Sequence, residues 1–418
     1  MRKKLGLGML LLTALMFLSG CGEKQVPIED YVRSNPTTDV INGIMKSDTG
    51  YYYCAANRRP LSMHYYDEKS DQNIFLCSKP ECRHDGDAFC TATSEKYTVR
   101  GACYYGDALY LNVVEKTDTE YLCKLIQVSE DGTELTELVT YQSVNNTSLW
   151  VTSGEPMIIH RGVVVLPYVF RNTDDDNFCL GGICLYDLIS GEQKLLPEME
   201  TNQRNKGYSR LSACGDYIYY NMHQNARYTL SRYCLTDGTI EALELSGVTT
   251  GMYNGMYEVM DENTIYYCCS GNSLYEYQIS DNTSKEHTNF FKEMVYQGGG
   301  KNGCADMMTD GTYFYVGEGV YFRDTDTGYM GVYVDSDGVE TPVKSYVHVF
   351  DRELNEVAKV EIATEYYMDD EVSFSIAILD GMVYLQTWQT VFQCTLEEFL
   401  ANEVPPFTPV YDHVDIEF

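Results

Sequence analysis

The chain has 418 residues, with 30 Lys and Arg against 62 Asp and Glu, and a formal net charge of −32. This acidity disfavours nucleic acid, which is held by cationic side chains at phosphates, and disfavours direct binding to anionic lipid headgroups. The 37 Tyr and 15 Phe suit pleated, half-buried surfaces, long amphipathic helical patterns are absent, and the length allows one large core.

Arg2, Lys3 and Lys4 precede an apolar run from Leu5 to Leu18, too short for a comfortable membrane span. The run ends in Leu18-Ser19-Gly20-Cys21, which resembles the bacterial lipobox. That resemblance implies a lipoprotein signal peptide over residues 1–20, cleavage before Cys21, and diacylation of Cys21. The alternative is an ordinary signal peptide with a chance cysteine. Acyl chains contribute about 0.8 kcal/mol per buried CH₂, so a multiply acylated cysteine anchors stably. The expected location is the cell membrane, facing the extracytoplasmic side, with the membrane contacted through the lipid. Residues 21–38 are polar, contain Pro27 and Pro36, and are expected to form a tether. Removal of residues 1–20 takes away three basic and no acidic residues, leaving −35.

From residue 39 to 418 one pattern recurs: a turn, an apolar residue, then an aromatic. Its best example is Gly215-Asp216-Tyr217-Ile218-Tyr219-Tyr220. Equivalent anchors are Tyr53, Tyr110, Val165, Tyr219, Tyr266, Tyr315 and Tyr384, separated by 57, 55, 54, 47, 49 and 69 residues. Downstream of the anchors come second turns such as Asp131-Gly132, Ser190-Gly191 and Asp237-Gly238, where Asp and Gly tolerate positive φ. About four strands in about fifty residues is a propeller blade. The expectation is an all-β β-propeller of seven four-stranded blades; the competing architecture is a β-sandwich or two stacked β-domains.

The most unusual segment runs from Cys77 to Cys90, between the first two repeat units. Cys77, Cys82, His84 and Cys90 could make a tetrahedral Cys₃His zinc site. A disulfide among Cys77, Cys82 and Cys90 competes with it, as do reduced thiols. Elsewhere Cys54, Cys103, Cys123, Cys184, Cys214, Cys234 and Cys394 fall inside strand patterns, where a thiol acts as a small hydrophobe. Cys268 and Cys269 are adjacent, so in a strand they face opposite sides.

Longer loops at residues 57–60, 171–177 and 223–227 are expected on one rim, the candidate binding face. Asp174-Asp175-Asp176 and Asp324-Thr325-Asp326 could offer oxygens to calcium, although neither matches an EF-hand. The last anchor gap is long, and residues 324–343 read as an inserted hairpin between the second and third strands of that unit. The best helix candidate is Thr395 to Asn402.

Together the lipobox, the Gly-Asp-x-Ile-Tyr-Tyr repeat and the Leu76–His84 segment resemble uncharacterised tyrosine-rich, TolB-like β-propeller lipoproteins of anaerobic Gram-positive bacteria. The resemblance implies fold and location and carries no catalytic residue. Gly-x-Ser-x-Gly, His-Glu-x-x-His and P-loop motifs are absent from the sequence. The favoured expectation is a non-catalytic binding protein with a protein or glycan ligand at the propeller rim. The alternatives are an extracellular glycan- or peptide-processing enzyme, and an assembly factor or sensor for a neighbouring membrane complex.

Overall fold

A computed structural model of the chain describes residues 31–33, 45–47, 49–54, 60–84, 90–145, 149–151, 157–172, 179–196, 199–201, 208–224, 227–245, 253–269, 273–291, 304–318, 332–334, 340–342, 345–363, 375–379, 381–386 and 390–412. Every anchor residue of the repeat lies in the second strand of an antiparallel meander, as Tyr219 does in Tyr217–Gln224 and Tyr315 in Phe314–Glu318. The aromatic, apolar character of these strands follows from burial on both faces. Ile218 and Tyr220 pack with Val165 and Ile183 of the preceding sheet. Tyr219, between them, points the other way and packs with Tyr257 and Ile265 of the following one. The same alternation places Cys268 in one inter-sheet core and Cys269 in the next. The chain is an all-β β-propeller.

The expected seven separate four-stranded blades require correction. Among the described residues, five blades stand as separate sheets. The first has Val163–Asn172 and Cys179–Asp187 at its centre; its inner position is shared by Leu149–Val151 and Ile158–His160, its outer one by Gln193–Leu195 and Met199–Thr201. The second is Tyr208–Cys214, Tyr217–Gln224, Arg227–Cys234 and Ile240–Ala242, and Tyr31–Arg33 joins it at the edge of Tyr208–Cys214. The third, fourth and fifth begin at Tyr253–Val259, Cys304–Thr309 and Ser375–Leu379.

The N-terminal region is instead one eight-stranded sheet. Its physical origin is a mismatch of strand lengths. Pro60–Asp67 has eight residues, but its outer neighbour Gln72–Phe75 has four and pairs only with His64 to Asp67. The edge at Pro60–Ser62 would be left open, and an open edge seeks a partner. Thr93–Tyr105, thirteen residues long, supplies it: Leu61 pairs with Ser94 and Ser62 with Thr93. The two halves also share a core of Tyr52, Leu61, Met63, Tyr97, Leu109 and Ile126.

Turns after the third strands are closed by carboxylates, as the Asp-Gly signals predict. Asp187 accepts N–H bonds from Ile189 and Ser190 (2.9 and 2.7 Å), and Asp237 accepts from the N–H and hydroxyl of Thr239. In the fifth blade a helix, Leu396–Ala401, replaces the turn. Thr395 caps it with a reciprocal bond pair to Glu398, matching the expected helix within a residue. Val332–Val334 and Glu340–Pro342 form a two-stranded ribbon of their own, between the second and third strands of the fourth blade. This is the insertion read from the long anchor gap.

Candidate metal centre

The Gln72–Phe75 strand ends where the chain must leave the sheet. Leu76 still donates to the Met63 carbonyl (3.0 Å), but Cys77 folds back onto the Phe75 carbonyl (2.8 Å). Cys82 then donates to Lys79 O at 3.3 Å, closing a tight turn around Pro80. Glu81 and His84 both have positive φ, 63° and 55°, which reverses the chain in little space. The chain rejoins the fold at Cys90: Thr93 N–H meets the Cys90 sulfur at 3.2 Å, and Met63 N–H meets the Ala92 carbonyl at 2.8 Å.

This detour brings four ligand atoms together. One atom each from Cys77, Cys82, His84 and Cys90 lies within 4.8 Å of every other, and Cys90 Sγ is 3.5 Å from His84 Nδ1. Tetrahedral zinc with Zn–S bonds of about 2.3 Å keeps its ligand atoms about 3.5–4 Å apart. The donor set therefore needs only slight contraction to close on such an ion. The cysteines are unbridged, Cys90 is buried, and the other three ligands are half-buried. Three thiols and an imidazole suit a soft divalent ion and not calcium, which takes oxygen ligands.

Protons are distributed unevenly across the group. Burial opposes ionisation of Cys77, but hydrogen bonding by Thr91 and by the Lys79 N–H outweighs it, bringing the thiol down to about 7. The His84 N–H favours the Cys82 thiolate, yet burial and the neighbouring Cys90 and Cys77 sulfurs prevail and push Cys82 up to about 11. The strand cysteines behave as buried hydrophobes: burial drives Cys54, Cys123 and Cys184 up to about 12.

Residues that the sequence pattern does not connect with the cluster position the ligands. Cross-strand register aligns Tyr53 with His64 and His64 with Phe75. Their rings stack in a column, with centroids 5.0 and 4.5 Å apart, and Phe75 stacks on the ligand His84 at 4.6 Å and 19°. On the other side Thr91 Oγ1 donates to the Gly132 carbonyl at 2.6 Å. Gly132, at φ 66°, lies so close that an added Cβ would sit 2.6 Å from the Leu76 carbonyl oxygen. Phe75 is set by its strand, but its partner in the crossing loop depends on a reversal that no local pattern announces.

Cys21, both acidic calcium candidates and most of the predicted rim loops lie outside the described residues. No protein-family model matches the sequence, and no curated protein matches it. Solved structures with a similar fold include prolyl oligopeptidase B from Galerina marginata, at TM-score 0.50 and 11% identity over 91% of this chain and 51% of that one. Oligogalacturonate lyase from Vibrio parahaemolyticus matches at TM-score 0.47 and 10% identity, covering 86% of this chain and 88% of that one. The β-propeller domain of the trilobed protease from Pyrococcus furiosus matches at TM-score 0.38 and 10% identity, covering 71% and 82%. At 11% identity the likeness to prolyl oligopeptidase B concerns the fold alone.

Proposed function

We propose that the protein is a membrane-anchored extracytoplasmic lipoprotein, akin to the tyrosine-rich TolB-like group, whose propeller binds a protein or glycan ligand without chemically altering it. Within this reading Cys21 carries the lipid, and Cys77, Cys82, His84 and Cys90 hold a structural zinc ion. The observation that supports a structural, non-catalytic role for this cluster is its donor set. It is the group of possible metal ligands found among the described residues, and it offers four protein donors. A four-donor set fills tetrahedral zinc, whereas catalytic zinc keeps a position open for water or substrate.

Two measurements test the reading. Cys21→Ala in the full chain should abolish lipid labelling and release the protein or leave it unprocessed; a variant that labels and fractionates as wild type removes the anchor. A thermal-shift screen of the full chain in detergent against oligosaccharides and peptides should find a stabilising ligand, because binding the folded state raises Tm. Turnover of a stabilising glycan or peptide would establish the enzymatic alternative instead.

A further inference from the structure

The two halves of the eight-stranded sheet meet at a short seam, and the ligand-bearing crossing lies beside it. The seam consists of Pro60, Leu61 and Ser62 paired with Thr98, Ser94 and Thr93, with an irregularity after Pro60. The chain leaves the sheet at Leu76 and returns at Cys90, and both flanks of the crossing are tied to Met63: Leu76 N–H donates to its carbonyl, and its N–H donates to the Ala92 carbonyl. Within the crossing, the backbone-to-backbone bonds among described residues are the turn at Cys77 and the turn at Cys82; other backbone N–H groups point at the sulfurs. Ordering a residue costs about 1–2 kcal/mol of backbone entropy, and these two turns offset only part of that cost over residues 77–84.

We infer that the metal centre is a fastener between the halves of this sheet: a soft divalent ion at Cys77, Cys82, His84 and Cys90 fixes the crossing so that Thr93–Thr98 stays paired with Pro60–Ser62. This rests on the zinc reading above and adds the ion's mechanical role. The ligands are distributed to suit it. Cys77 follows the outer strand of the first half, and Cys90 precedes the inner strand of the second by three residues. His84, midway, stacks on Phe75 and so fixes the middle of the crossing to the first half. Thr91 and Gly132 fix the returning chain to a turn of the second half. An ion joining Cys77 to Cys90 therefore joins the halves, and the Phe75–His84 stack orients the imidazole that completes the set.

The test uses the full chain purified in detergent, first loaded with cobalt(II) as a spectroscopic stand-in for zinc, then compared as zinc-loaded and chelator-stripped protein by hydrogen exchange. The expected results are the intense visible absorption of tetrahedral thiolate-bound cobalt, and on stripping a loss of about tenfold or more in amide protection at residues 61–64, 93–98 and 129–133. Protection at residues 217–234 of the second blade should stay unchanged, and zinc should restore the rest. Absence of the cobalt–thiolate absorption overturns the zinc reading itself. Cobalt bound with thiolate absorption, but unchanged protection at 61–64 and 93–98 after stripping, leaves the metal site standing and overturns the fastening role. Phe75→Leu keeps all four ligands and supplies a second readout: it should weaken cobalt affinity about tenfold or more, as loss of a supporting outer contact does, and unaltered affinity would remove the stack from the account.

Discussion

Tyr51 and Tyr384 stand 333 positions apart, and their hydroxyls lie 3.2 Å from each other. Tyr51 belongs to the N-terminal sheet and Tyr384 to the fifth blade, so this contact brings the two ends of the propeller together. The rings meet edge-on at 5.9 Å, Tyr51 OH donates to Gln393 Oε1 at 3.1 Å, and Val391 and Val410 complete a small dry core. The closure is a side-chain zipper, and burial followed by the bond to Tyr384 holds the Tyr51 phenol well above its ordinary range. Tyr384→Ala should lower stability by about 3–5 kcal/mol, in the range for emptying a buried aromatic site. Tyr384→Phe should cost about 1 kcal/mol for the lost hydrogen bond. Urea unfolding of the two variants measures the ratio; equal losses would mean that closure rests on the hydroxyl and not on packing.

Lys124 is 6% exposed and lies between two carboxylates, Glu115 at 2.6 Å and Glu137 at 2.8 Å, with Lys96 beside both. Burial disfavours its charge, but the two carboxylates more than offset this and leave it above its ordinary value. Lys124→Met should cost about 3 kcal/mol, because it leaves Glu115, in a poorly solvated position, with only the longer pair to Lys96 at 3.4 Å. Adding Glu115→Leu should recover a large part of that loss. If the double variant is as unstable as the single one, the network holds more than a local charge balance.

The carboxyl groups of Asp67, Asp131, Asp187, Asp237 and Asp351 are held below their usual values, chiefly by hydrogen bonds from their own turns. Glu137, where burial is outweighed by bonds from Lys124, Tyr97 and Lys96, is brought down to about 2. A depressed folded-state pKa means that stabilisation is fully present above the unfolded value of about 4 and is lost as pH falls through the folded value. Tm should therefore decline as pH drops from about 4 towards 2. Acid also relieves the repulsion within a chain of net charge −32, which acts in the opposite sense. Asp187→Asn together with Asp237→Asn isolates the turns, since an amide oxygen still accepts the N–H bonds but does not titrate. The variant should show a shallower acid decline than wild type; parallel curves would remove the turns as its cause.

The ribbon of Val332–Val334 and Glu340–Pro342 pairs only with itself among the described strands, while its parent strands pair directly, Gly317 with Val347. Replacing Thr327–Val343 with a short Gly linker should leave the fourth blade folded and shift Tm by only a few degrees, since closure entropy changes slowly with loop length. Loss of cooperative unfolding would show that the ribbon supports the blade.

The repeat was legible because both faces of each second strand are buried, which writes runs such as Tyr217-Ile218-Tyr219-Tyr220 into the sequence between turn residues. The ligand quartet was legible for a similar reason, being crowded into fourteen residues. Its chemistry was open at that stage, since spacing does not say whether sulfurs meet each other or a shared ion. Pairing of Leu61 with Ser94 could not be foreseen: backbone pairing across an open edge leaves little side-chain signature, and it joins what the repeat alone would divide. The aromatic column was hidden too, because Tyr53, His64 and Phe75 align only once two registers are fixed.

Tyr31–Arg33 falls inside the stretch that composition marks as tether, and it pairs with Ser212 to Cys214 of the second blade. An extended chain covers at most about 3.6 Å per residue, so ten residues from Cys21 to Tyr31 reach about 36 Å, where a leash running free to residue 39 would reach about 65 Å. On the proposed anchor, docking of that strand shortens the leash by nearly half. The volume swept by the leash scales as the cube of its reach, so the docked protein patrols roughly a sixth of the space open to the free one. A ligand on a neighbouring cell or deep in a wall layer would then be out of range, and one presented at the membrane's own surface would meet the propeller at a correspondingly raised local concentration.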